Sequence, residues 1–472
     1  MKKYNIAVVG SGIGGSLIAS LNSNNNLILF ERDKNLGGCA STFKRYGSLF
    51  NAGATTFVGY EKGHVIKEIF EKIDFKPNIS KSEVAIRVIQ NKQIIDRTKD
   101  FESFLSQIDT IYPNKNNEKF WRTIKNIDEK FWSLKKLYYG KYSISAYIKT
   151  FIFLMELVST FKLDLFKSAS GFIKDTLGDI SREYQNFIDA QLFITVQSTS
   201  KNIPLLAMSL GLSYPFHDVF YVNGGMGSLF NGILKEVEVH TKEEVKNIKK
   251  ENEYFKVTTN KDVYLVNKVI LNSTVFDSSK FLEDKKIKDY YNSFEFNDQS
   301  AFVVYVKLNI KPELLHHYQI ITNKEIPNCI SNSFFISLSS CEDELLSKNG
   351  LSITISTHTK ASYWKGLEKE EYEKQKEKTM NHILEEFLNC FDNISNDNIK
   401  SSFSATSTTF NNYINRFNCG GNSIRIKNLI KFPSCKTPFE GLYNVGDTIF
   451  SGQGWPGVAL GVSVLNKELN EE

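Results

Sequence analysis

The chain has 472 residues, 41% apolar and 24% charged, a balance that excludes a disordered or collagen-like polypeptide. Lys and Arg number 58 against 53 Asp and Glu, and the resulting charge of +5 is too small and too scattered to make a nucleic-acid stripe. The length suits two domains, and 36 Phe with 21 Tyr suggest an apolar cavity as well as a core.

Asn5–Val9 reads as a buried strand, Gly12–Leu21 as a helix and Leu27–Phe30 as a second buried strand. Met1-Lys2-Lys3 before an apolar run imitates a secretory leader, but the glycines that follow and the charged strand end Glu31-Arg32-Asp33 fit a folded βαβ unit better. From about residue 100 to 220 the pattern is mostly helical. Phe120–Leu137, Ala146–Phe166 and Tyr184–Gln197 carry apolar residues three and four apart. No apolar stretch is expected to reach the roughly 18 residues of a membrane span. Tyr147–Phe166 comes nearest, with Phe151, Leu154, Val158 and Phe161 along one side, and reads equally as a membrane-surface helix or a buried one.

A β-rich portion follows: Glu236–Val239, Tyr254–Thr258, the return strand Val263–Leu271, an alternating strand around Phe302–Leu308, and Leu351–Thr357. His316-His317 has no acidic or Cys partner nearby in sequence and reads as a surface turn. Glu368–Phe391 is a charged amphipathic helix. The six cysteines are widely spaced without a CxxC pair, which argues against zinc or a disulfide framework and suits a reducing, cytoplasmic setting. Cys39 reads as a small packed residue and not as a redox thiol.

Gly10, Gly12 and Gly15 fit the G-x-G-x-x-G spacing directly between a strand and a helix. The first permits the tight turn, the second admits a pyrophosphate to the backbone, and the third lets helix and strand pack closely. Glu31 ends the second strand about 20 residues on, where a carboxylate accepts from a ribose 2′-hydroxyl and repels a 2′-phosphate. A second glycine turn, Gly37-Gly38, brings further amides and the Ser41 or Thr42 hydroxyl towards an extended dinucleotide. A plain NAD domain would go on to its next helix and strand. Near the far end, Gly446-Asp447 closes a strand and Gly454-Trp455-Pro456-Gly457-Val458 opens a helix. Asp447 can accept from a ribityl hydroxyl, and the helix dipole favours negative charge on a reduced flavin ring.

These residues together resemble the FAD oxidoreductases of the phytoene desaturase and carotenoid isomerase family. Gly37–Thr55, Gly224–Leu229, Trp364-Lys365-Gly366, Ala405–Phe410 with Tyr413, and Lys436–Leu460 carry the likeness in the family's order. Cys39 stands where desaturases often have Arg, Asn51 replaces their Asp, and Asn418–Asn422 lacks their Gly-Gly-Ile-Pro wording. The resemblance implies an α/β fold, a Rossmann-type, glutathione-reductase-like FAD-binding domain with an inserted α+β substrate domain. The expected cofactor domain takes in 1–95, 220–285 and 420–472, and the substrate domain 96–219 and 286–419.

By the same analogy FAD would be lined by Gly10, Gly12, Gly14, Gly15, Glu31 and Arg32. Gly38, Ser41, Thr42, Ala54, Thr55 and Val245 would join them, followed by Gly446, Asp447, Trp455 and Val458. The expected activity is desaturation, isomerisation or saturation of a long unsaturated isoprenoid or polyene lipid by hydride transfer at flavin N5. The expected setting is cytoplasmic, with association to the inner membrane surface; the electron acceptor is left open. No metal, nucleic acid or catalytic acid–base residue is implied. Two alternatives stand beside it: an amine-oxidase-like flavoprotein and a non-catalytic prenyl-lipid chaperone of the same fold.

Overall fold

The computed structural model describes residues 2–53, 55–422 and 431–471. Ala54, one of the expected cofactor contacts, lies outside the described residues. Apolar runs buried on both faces build the first sheet as a parallel core. Strand Lys2–Val9 pairs in parallel with Leu27–Glu31 on one side and with Val263–Leu271 on the other. Glu238–Thr241 extends it beside Leu27–Glu31, and Leu442–Asn444 pairs in parallel with the end of Val263–Leu271. The strands Tyr254–Thr259 and Val245–Glu251 complete it antiparallel. Helix Ile13–Leu21 covers this sheet with the C-terminal helix Gly454–Glu471 packed against it. This is the Rossmann-type arrangement, with the carboxyl ends of the parallel strands at one edge.

The second sheet has seven strands in the order Ile399–Ala405, Ser300–Leu308, Ser352–Thr359, Ser333–Leu338, His317–Ile321, Val84–Gln90 and Gln93–Thr98. The hairpin 84–98 straddles the 95/96 boundary read from sequence and forms an edge of this sheet. A helical layer, Phe101–Ile111 through Leu205–Ser213, makes a separate core around Trp121, Phe104, Tyr184 and Phe187.

Two expectations need correction. His316-His317 is no surface turn: His317 begins a strand whose five residues are all buried. Its Nδ1 lies 3.1 Å from the Ala85 carbonyl, because the partner strands Val84–Gln90 and Ser333–Leu338 cover it from both sides. The stretch 144–166 is, by length and composition, long and apolar enough to cross a membrane, and only 22% of its most apolar window is buried. Its helix, Ile144–Phe161, starts where the Ser143 hydroxyl accepts from the Ala146 amide. Phe153, Leu157 and Phe161 point inward, whereas Ile144, Tyr147, Ile148, Phe151 and Met155 are exposed. The stripe read from sequence runs along the border of these faces, from exposed Phe151 to buried Phe161.

Candidate functional site

The glycine run turns because Gly10 adopts φ +99°, a conformation that L side chains rarely tolerate. A Cβ on Gly15 would lie 2.1 Å from the Gly10 carbonyl oxygen, so helix and strand meet there without room for a methyl group. Gly14 meets the other end of the chain: its Cβ would lie 2.9 Å from Val445 Cγ2 and 3.0 Å from the Gly446 amide nitrogen. The amino-terminal glycines and the strand end at Gly446 therefore converge on one spot. Asn272, at the end of the return strand, was not singled out from sequence. Its Nδ2 lies 3.3 Å from the Gly10 carbonyl and would be 2.7 Å from a Cβ on Gly12.

Glu31 ends its strand with both oxygens engaged. Oε2 accepts from the Ser11 amide at 2.9 Å and the Ser11 hydroxyl at 2.6 Å, and Oε1 accepts from the Asp33 amide at 2.8 Å. The same Ser11 hydroxyl accepts from the Gly37 amide, tying the first glycine run to the second turn. Arg32 donates to the Asn412 carbonyl. Thr42 is used differently from the expectation. Its hydroxyl donates to Asn51 Oδ1 and accepts from the Gly227 amide, and it holds the Gly224–Gly227 turn instead of facing the cavity.

A cavity of about 1340 Å³ opens beside these residues. Its wall includes Gly10, Gly12, Gly14, Glu31, Arg32 and Gly38. Ser41, Thr55, Val245, Gly446, Asp447, Trp455 and Val458 also line it. Gly15 and Thr42 sit behind the wall. Further along, the lining becomes apolar and aromatic. Tyr305 and Phe403 stack at 4.8 Å, and Phe43 meets Tyr305 edge-on at 5.2 Å. Phe153, Leu154 and Leu157 of the helix 144–161 form another side.

Trp455 is 2% exposed, wedged edge-on against Phe57 at 5.1 Å, and its indole nitrogen has no partner among the described residues. Asn418 Oδ1 and Gln453 Oε1 are buried and unpartnered in the same wall. His64 Nδ1, Gln197 Oε1 and the Tyr214 hydroxyl are likewise buried and unpartnered in the lining. Buried polar atoms in native proteins are nearly always satisfied, so such a set around one cavity is what a polar ligand would complete. Asp447 is gripped by Arg416, which also donates to the Asn418 carbonyl at 2.6 Å. Burial opposes the charge on Arg416, but the Asp447 carboxylate more than compensates and raises its pKa. Arg416 escaped the sequence reading because nothing local marks an arginine whose partner lies 31 positions away.

A model of the NAD(P)-binding Rossmann-like domain matches residues 8–73. The chain is 24% identical over 497 aligned residues to the chloroplastic prolycopene isomerase of Daucus carota, covering 97% of this chain and 78% of that protein. Among solved structures, an oxidoreductase from Methanosarcina mazei superposes with TM-score 0.65 at 18% identity over the whole of both chains. Putrescine oxidase bound to putrescine gives TM-score 0.65 at 14% identity, covering 99% of this chain and 98% of that one.

Proposed function

We propose that this chain, related to the carotenoid isomerases along 97% of its length, is an FAD-dependent oxidoreductase acting on a long unsaturated isoprenoid or polyene lipid. The carrying observation is the contact of Gly14 with Val445 and Gly446 at the mouth of one cavity whose far walls are apolar. The bare glycine backbone and the orphaned Trp455, Asn418 and Gln453 atoms fit a dinucleotide laid across both chain ends. In this reading the expected residues that line the cavity, from Gly10 to Val458, hold the cofactor, with Gly15 and Thr42 bracing the cradle from behind. The domain takes in 1–83, 220–285 and 420–472, since the hairpin 84–98 belongs to the second sheet. Bound there, the flavin supplies hydride transfer at N5.

The protein's own residues do the positioning. Amides at the start of helix Ile13–Leu21 and of helix Gly454–Glu471 would hold the pyrophosphate and the reducible ring edge at their positive ends. Glu31, held in place by Ser11, would accept from a ribose hydroxyl. Phe43, Tyr305 and Phe403 exclude water from the chain's reacting carbons and fix its plane. The apolar far walls favour a lipid over the amine of an oxidase-like alternative.

The helix 144–161 lends a route in. Leu154 and Leu157 line the cavity, while Tyr147, Ile148, Phe151 and Met155 on the same helix face outward. In this reading the outer face rests on the cytoplasmic surface of a membrane and the inner face receives the lipid. The deciding experiment is expression in a host that makes defined polyenes, with mass analysis of the extracted lipids. A product two hydrogens lighter, isomeric or two heavier separates desaturase, isomerase and saturase. Unchanged polyenes together with peroxide formed only on adding an amine would favour the oxidase-like alternative.

A further inference from the structure

His64, Asp128 and His217 are titratable side chains of the cavity wall outside the set proposed to hold the dinucleotide. His217 Nε2 lies 2.6 Å from Asp128 Oδ2, whose side chain is 3% exposed, and this bond fixes the ring's orientation. His217 Nδ1 is 4.0 Å from Glu61 Oε1. Beside it the His64 ring lies 5.1 Å from His217 and 5.2 Å from Trp132. His64 Nδ1 is buried and has no partner among the described residues. The chain between Gly59 and His64 runs out from the cofactor cradle, since a Cβ on Gly59 would sit 3.0 Å from Pro456.

We propose that His64 and His217 form a hydrogen-bonding subsite in this wall, and that it takes a neutral oxygen function, a hydroxyl or a carbonyl, borne by the long apolar chain. The inference rests on the lipid reading and narrows it from a pure hydrocarbon to an oxygenated isoprenoid or polyene. A buried ring nitrogen without a partner is costly to maintain and is satisfied when a ligand oxygen arrives.

Charge decides which oxygen. Glu61, Asp128 and Asp218 surround the pair. Lys99 lies 3.4 Å from Glu61 and 3.0 Å from Asp218, and Lys81 lies 2.8 Å from Asp218. The two lysines do not exceed the three carboxylates, so a carboxylate-ended chain would add an uncompensated anion. Burial, then the neighbouring His217, lowers the pKa of His64, which leaves its ring neutral at pH 7. A neutral ring can donate to a carbonyl or accept from a hydroxyl.

The test uses the flavin-loaded protein and four C20 isoprenoid probes with one carbon skeleton: alcohol, aldehyde, carboxylate and hydrocarbon. Binding is read by calorimetry. The alcohol and aldehyde should bind about tenfold or more tighter than the hydrocarbon, and His64→Phe should erase that preference while leaving hydrocarbon binding unchanged. Should His64→Phe fail to fold, the four-probe comparison on the unaltered protein decides alone. Equal binding of alcohol and hydrocarbon overturns the subsite but not the lipid reading; failure of all four overturns both. A carboxylate that binds tightest overturns the charge argument. Stoichiometric binding of zinc without any probe, lost in His64→Phe, overturns the proposal by assigning Glu61, His64 and His217 to a metal.

Discussion

Arg416 holds Asp447 by two parallel hydrogen bonds, Nη1 to Oδ1 at 3.1 Å and Nη2 to Oδ2 at 2.8 Å, with Cys39 Sγ 3.9 Å from Nη1. The pair closes the cavity wall between the second glycine turn and the C-terminal stretch. Removing one partner leaves a charge in a poorly solvated place. Arg416→Met should lower stability by about 1–3 kcal/mol. Asp447→Asn added to it should restore part of the loss, a non-additivity of about 1 kcal/mol or more in a chemical-denaturation cycle. Strict additivity would show that the pair contributes nothing.

The glycines differ in what they forbid. Gly15→Ala puts a methyl group onto the Gly10 backbone, which cannot yield, so soluble expression and melting temperature should fall sharply. At Gly12 the obstructing atom is the end of the Asn272 side chain. Gly12→Ala should therefore fold nearly normally but retain at least tenfold less flavin, as read from the 450 to 280 nm absorbance ratio of the purified protein. Full flavin retention would remove Gly12 from the cradle.

Buried histidines set an acid limit. Burial pushes His316 and His358 down to about 4, and burial with the neighbouring His316 lowers His317 well below its ordinary value. The unfolded chain then binds more protons than the folded one between about pH 6.5 and pH 4, so stability is full above that window and falls as pH drops through it. His217, raised by Asp128 and Glu61 against the effect of burial, works the other way: its contribution is full below pH 6.5 and is lost as pH rises. His64, lowered by burial, adds to the first three, and four groups outweigh one, so the melting temperature should decline from pH 6.5 to 4. A flat profile over that range would show that these rings are solvated.

The outer face of the helix 144–161 can be tested without touching the core. Phe151 is 63% exposed and Ile148 54%, so aspartate at either position should change folding stability by no more than about 0.5 kcal/mol. Each side chain buried in lipid contributes on the order of 1.5–3 kcal/mol, so Phe151→Asp with Ile148→Asp should weaken sedimentation with anionic vesicles by tenfold or more. Flavin content should be unchanged. Undiminished vesicle binding would assign this face to something other than a membrane.

The parallel sheet was readable because its signals are local: Gly10, Gly12, Gly15 and Glu31 stand within one βαβ unit, and Val263–Leu271 is apolar on either side of Asn267-Lys268. The second sheet was half readable. Its alternating strand Ser300–Leu308 showed, but His317–Ile321 did not, because a strand of His, Tyr and Gln is buried only by neighbours drawn from residues 84–90 and 333–338. Thr42 and Asn51 were legible as polar residues beside a glycine turn. That they brace Gly227 and Met226 depends on a contact spanning more than 170 positions. Arg416 and the pairing of His217 with Asp128 are likewise products of long-range packing, to which local spacing is blind.

Because Gly14 abuts Val445 and Gly446, the proposed cradle would be complete only once both of these segments have folded together. During synthesis the amino-terminal βαβ unit leaves the ribosome long before the strand that completes it. In the proposed reading the nascent protein would wait with this site open on one side until Leu442–Asn444 and Gly446 have emerged, so maturation would be timed by the synthesis of that strand.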